Sequence, residues 1–152
     1  MAKRSSHRTD IKPRPRVEII FYTVAALISL VGLGEATYLT VSHLAGETAV
    51  CRGSASCFEV LGSKYARVGG IPIASFGAVA YFSAFSCATF AAFGYARARV
   101  IFALVAAGMF LFTLWLLFVQ AFLLHAFCKY CLFSAAMIFL LAGIAVARPV
   151  SD

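Results

Sequence analysis

Cysteine carries most of the chemistry open to this chain. Four of its five cysteines fall into two close pairs, Cys51 with Cys57 and Cys128 with Cys131. The later pair reads Cys128-Lys129-Tyr130-Cys131, a CxxC at the head of an apolar run. Residues three apart on a helix carry β-carbons about 5–6 Å apart, and a modest adjustment brings them into disulfide range. The unpaired amides and positive dipole end of such a helix favour a thiolate on Cys128, and Lys129 adds to that. Cys131 lies about 4.5 Å further along the axis, from the helical rise. One sulfur is therefore expected to face water and the other the apolar interior, which suits electron passage from aqueous thiols to a lipid-soluble acceptor. The earlier pair, in Cys51-Arg-Gly-Ser-Ala-Ser-Cys57, is joined by small and polar residues that bend easily. A loop of that kind could carry a disulfide between two redox partners. Leu132 follows Cys131, which excludes haem attachment through CxxCH. A structural zinc site or purely structural disulfides stay open on the residues alone.

The elements that must position these sulfurs are membrane spans. Of the 152 residues, 62% are hydrophobic and only 12% charged, about half the usual charge of a soluble domain. A soluble chain of this length has too much surface to hide that content. Four apolar runs emerge, at about 19–41, 71–93, 100–124 and 127–147. Each is long enough to cross a hydrocarbon core of roughly 30 Å as a helix. The runs are continuous rather than alternating, which favours helices over a barrel. The reading is an all-α integral membrane protein. Residues 1–16 form a basic cytoplasmic segment, 17–148 a four-helix membrane domain and 149–152 a cytoplasmic tail. The first run exceeds the apolar core of a signal peptide and is expected to be retained.

Charge sets the orientation. Net charge is +7, and with both termini in the cytoplasm nine of the thirteen basic residues lie inside: Lys3, Arg4, Arg8, Lys12, Arg14, Arg16, Arg97, Arg99 and Arg148. The basic leader is then a topological anchor on anionic lipid, not a nucleic-acid arm. Cys51 and Cys57 follow the first span, and Cys128 and Cys131 follow the third. Both pairs follow an odd number of crossings and share one compartment, here the extracytoplasmic side where disulfides persist. Cys87 lies within the second span and reads as a small buried hydrophobe.

Other polar residues carry weaker signals. Glu35, inside the first span, is a candidate for proton transfer or polar support, since acids in spans are functional candidates by default; a reach to headgroups is the competing reading. Gln120 reads as an interhelical hydrogen-bonder and His125 as a solvated loop residue. Trp115 reads as a packing residue. Residues 58–63 suggest a short interfacial helix in the long loop, and Gly69-Gly-Ile-Pro72 breaks the chain with Pro72 opening the second span.

Together these segments resemble the vitamin K epoxide reductase family, specifically its bacterial disulfide-forming members. The resemblance rests on Gly34-Glu-Ala-Thr-Tyr-Leu-Thr-Val-Ser-His43, Cys51 with Cys57, and Val60-Leu-Gly-Ser-Lys-Tyr65. It continues through Gly70-Ile-Pro-Ile-Ala-Ser-Phe-Gly77 and Cys128-Lys-Tyr-Cys-Leu132 with Ser134. It implies a four-helix bundle around a quinone, ubiquinone or menaquinone, with the CxxC at its mouth and no metal. It also implies that Cys51 exchanges with a thioredoxin-fold partner, Cys57 relays to Cys128, and Cys131 delivers electrons to the quinone, with Ser63 close to the ring. The chain departs from fused members in lacking a thioredoxin-like domain, which implies a separate partner of the DsbA type; the resemblance favours a bacterial inner membrane, and a monomer is expected. Lys129 stands where many members have proline. Leu132-Phe-Ser134 replaces the Thr-Thr-Tyr of vertebrate enzymes, which favours ordinary quinone reduction over vitamin K epoxide. The competing readings are a non-catalytic scaffold with structural disulfides or a metal, and a thiol oxidoreductase running in the reductive direction.

Overall fold

The structure, a computed structural model, describes residues 15–45 and 62–147. Cys51, Cys57 and most of the interfacial helix expected at 58–63 lie outside the described residues. Among the described residues four helices are long and apolar enough to cross a membrane. They are α1 (Arg16–Leu44), α2 (Ile73–Phe93), α3 (Ala96–Phe118, continued to Leu124 by a π-helical stretch) and α4 (Lys129–Ala147). The chain is thus the four-helix membrane bundle that its apolar runs predict. The ends of α2, the α3 continuation and α4 at Phe93, Leu124 and Ala147 coincide with the sequence reading, and the other ends differ from it by two to four residues. The largest shift is in α3, which begins at Ala96 and takes in Arg97 and Arg99. Arg99 is tolerated there because its guanidinium faces the Glu18 carboxylate of α1 at 3.8 Å.

In lipid no hydrophobic force drives helix against helix, so close backbone approach through small residues does much of the packing. On α1 the buried residues are Tyr22, Ala25, Ser29, Gly32, Ala36, Leu39 and Ser42, a run at steps of three and four that marks one helix face. On α2 they are Tyr81, Ala84, Ala88 and Ala91. These two stripes meet in the most extensive helix pairing of the bundle. Phe102 of α3 fills the remaining space, its ring edge-on to Tyr22 with centroids 5.8 Å apart. Large residues point outward instead: Leu104, Leu111 and Val79 are each about two-thirds exposed, as a lipid-facing surface requires. Trp115 also faces outward, 46% exposed, and lies against Phe112 of its own helix at 5.6 Å. The packing expected of it is thus made with that neighbour on the outer face, because the interior stripe of α3 runs through Ala98, Phe102, Ala106, Met109 and Thr113.

The chain before α2 does more than break. After a 3₁₀ turn at Lys64–Ala66, strands β1 (Arg67–Val68) and β2 (Ile71–Pro72) pair antiparallel, Val68 opposite Ile71. Gly69 and Gly70 form the two-residue turn with φ of 59° and 84°, the positive values that a type I′ hairpin demands. Pro72 then caps α2 in extended geometry. Arg67 Nε donates to His43 Nε2 at 2.9 Å, which ties the hairpin to the end of α1. The chain therefore leaves and re-enters the described structure at the same end of the bundle.

Candidate functional site

The CxxC is shaped by two successive departures from ordinary helix. From Val119 to Leu124 the chain winds as a π-helix, a form found mostly as single turns at functional positions. His125 then takes a left-handed φ of 52°, which costs a non-glycine residue roughly 1–2 kcal/mol. The Gln120 carbonyl holds this reversal by accepting the N–H of His125 and that of Ala126 at 3.2 Å. Gln120 also reaches forward with its side chain, whose Oε1 accepts the Cys128 N–H at 3.3 Å. The interhelical role expected of Gln120 is thus realised on the backbone of the CxxC itself. His125 is exposed, as a loop residue should be.

Cys128 occupies the N-cap of α4, since its carbonyl accepts the Leu132 N–H at 3.0 Å. In that position a side chain folds back onto the second and third amides of the helix, here those of Tyr130 and Cys131. The Cys128 thiol is pushed down to about 6. The largest cause is the hydrogen bond from the Cys131 thiol; burial opposes it, and the amides of Cys131 and Tyr130 add to the lowering. The expectation of a thiolate on Cys128 therefore finds its physical cause in the partner thiol and the amides. Its expected exposure does not hold. Cys128 is fully buried, clustered with Ala126 against Leu124, Tyr130 and Cys131, because a sulfur aimed at the first-turn amides points back into the turn. Cys131 is the more open of the two and faces a chamber within the bundle.

That chamber measures about 680 Å³ and runs between all four helices. Most of its wall is apolar, including Leu39, Ala80, Met109 and Ile138. A few polar groups break it. Glu35 presents both carboxyl oxygens buried, and neither has a hydrogen-bond partner among the described residues. Tyr81, 1% exposed, directs its hydroxyl to Ser134 of α4, 3.1 Å from the carbonyl and 2.9 Å from Oγ. Its ring lies flat against Gly32, where a Cβ would overlap it. Ser63 and Tyr65 close the chamber from the hairpin end. Ser63, read from sequence as part of an interfacial helix, is extended and immediately precedes the 3₁₀ turn.

The structure thus brings Glu35, Ser63, Cys131 and Ser134 to one chamber, with Cys128 packed behind Cys131. Cys51 and Cys57 belong to the segment outside the described residues. Cys87 packs partly buried against the α1–α2 core, the structural role expected of it. Tyr81 escaped the sequence reading, although a tyrosine inside an apolar run needs a partner for its hydroxyl, and Ser134 was available. Among the described residues no three metal-ligating side chains gather.

A helical bundle with a dithiol set between an acidifying helix end and an apolar chamber defines an integral membrane redox protein. Comparison with protein families matches residues 23–146 to the vitamin K epoxide reductase family. The match covers most of the chain, which belongs to that family and is a membrane thiol–disulfide oxidoreductase. A search of curated proteins finds no match.

Proposed function

We propose that this protein reoxidises a periplasmic thioredoxin-fold partner of the DsbA type and passes the electrons through its two cysteine pairs to a quinone of the bacterial inner membrane. The observation that carries this reading is the opening of Cys131 onto the apolar chamber, one helical turn from the acidified Cys128. The chamber suits a quinone head: its volume lies inside the range of roughly 300–1,000 Å³ typical of small-molecule sites. Its scattered polar groups, Glu35, Ser63 and the Tyr81–Ser134 pair, suit two ring oxygens. When bound, ubiquinone or menaquinone supplies an acceptor for two electrons and two protons.

The chain's own residues perform the exchange in two stages. Reduced partner thiols open the Cys51–Cys57 disulfide, so the partner gains a disulfide and this pair becomes a dithiol. The Cys57 thiolate then attacks Cys128 of the Cys128–Cys131 disulfide, and Cys131 leaves as thiolate. Cys51 resolves the mixed disulfide, which restores Cys51–Cys57 and leaves Cys128 and Cys131 reduced. Their two electrons and two protons pass into the chamber, with Glu35 holding or moving a proton, and the Cys128–Cys131 disulfide closes again. A quinone pool draws this sequence forward. The termini are cytoplasmic, both pairs are extracytoplasmic and a single chain suffices. The test is quinone reduction by the purified protein with a reduced thioredoxin-fold donor, beside alanine variants of each of the four cysteines. Activity that survives Cys131→Ala overturns the reading.

A further inference from the structure

Three hydrogen bonds to the turn ahead of the CxxC converge on one residue. The Gln120 carbonyl accepts the N–H groups of His125 and Ala126, and its side-chain oxygen accepts the N–H of Cys128. Gln120 is 3% exposed, so water does not replace what it supplies. The π-helical winding of Val119–Leu124 leaves its carbonyl bonded to residues five and six ahead, where an α-helix would bond the fourth. The Cys128 N–H is the amide of an N-cap residue, a group that no bond inside the helix satisfies. In many helices a side chain of the first turn accepts that hydrogen; here the preceding helix provides it.

We propose that Gln120 is the positioning residue of the CxxC, clamping the His125–Cys128 turn by main chain and side chain together so that the Cys128 sulfur stays seated on the amides of Tyr130 and Cys131. Its side chain meets the reacting residue at the backbone N–H. Removing the oxygen frees the cap to turn, the sulfur loses alignment with the two amides, and the thiolate loses their support. As a role in catalysis this rests on the electron path proposed above; the acidity of Cys128 does not.

The experiment uses the full chain in lipid nanodiscs with Cys51, Cys57 and Cys87 changed to serine and the CxxC reduced. The pH dependence of Cys128 alkylation by iodoacetamide is followed by mass spectrometry. Gln120→Met, close in size but without the oxygen, is expected to raise the midpoint by about one pH unit. That is tenfold less thiolate on the acid side, or about 1.4 kcal/mol. Gln120→Asn, whose amide is withdrawn by one methylene, falls between the two. A side chain that only fills space would alter thermal stability and leave the midpoint in place. Midpoints equal to the parent in both folded variants overturn the proposal. If Gln120→Met does not fold, an unmoved Gln120→Asn midpoint overturns it; if neither folds, rapid hydrogen exchange at the Cys128 amide of the parent does. No quinone enters this assay. A shifted midpoint here, beside an unmutated chain that fails to reduce quinone with a thioredoxin-fold donor, refutes the electron path alone.

Discussion

Gly32 tests the packing that holds the chamber wall. A Cβ built there falls inside van der Waals contact with three ring atoms of Tyr81, so Gly32→Ala must displace either the ring or α1. The ring is poorly placed to yield, since it is 1% exposed and its hydroxyl is bound to Ser134. Overpacking a close-packed interior costs about 1–3 kcal/mol, and a lost hydrogen bond adds about 1 kcal/mol. Gly32→Ala is therefore expected to destabilise the protein by about 2–4 kcal/mol, measured by reversible unfolding in mixed micelles. The cause can be isolated with a double-mutant cycle. On a Tyr81→Ala background the obstructing ring is gone, and the same substitution should cost under about 0.5 kcal/mol, the error of additivity. An equal cost of Gly32→Ala in both backgrounds, or none in the parent, refutes the assignment of this glycine to the tyrosine ring.

Cys131→Ser is expected to abolish quinone-coupled turnover while leaving Cys128 trappable in a mixed disulfide with Cys57, seen as a diagonal shift on non-reducing gels. Alkylation of reduced Cys128 should have its midpoint near pH 6. Because the folded state favours the thiolate, this group adds stability that is fully present above the ordinary thiol range and is lost as pH falls through about 6; denaturant titrations of the reduced protein at pH 5 and pH 8 check the sign. Glu35→Gln should lower turnover and alter its pH profile, and an unchanged profile would remove Glu35 from proton handling. Gly70→Val forces a β-branched residue to a φ of 84° and should cost at least about 1–2 kcal/mol, read as protease sensitivity of the hairpin.

The four spans were legible because lipid allows only long apolar stretches, and neither Arg97 nor Lys129 obscures one. Which face of each helix turns inward was harder to read. In a membrane both faces are apolar, so the contrast that marks a buried face in water is missing. The usable signal is size, and the Ala25–Ser29–Gly32–Ala36 stripe was present in the sequence. Trp115 shows the same difficulty: its depth along the span says nothing about its side of the helix. Within the site, Glu35, Ser63 and Cys131 could be named from residue type and resemblance. The support of Cys128 by Gln120 could not, because it depends on a π-helical stretch and a left-handed histidine. Neither leaves a mark in composition, and residues eight apart have no fixed relation in an ordinary helix. The hairpin was half visible, since two adjacent glycines mark a turn but do not announce two flanking strands.

The wide winding of Val119–Leu124 has a bearing on how this sequence tolerates change. If these same residues rewound as regular α-helix, everything downstream would rotate by about 100°, the step of one residue. The shoulder bearing the first sulfur of the CxxC would swing toward a different neighbour while every chemical group remained present. The winding of this short stretch is thus held as tightly as residue identity, although no reacting atom lies within it.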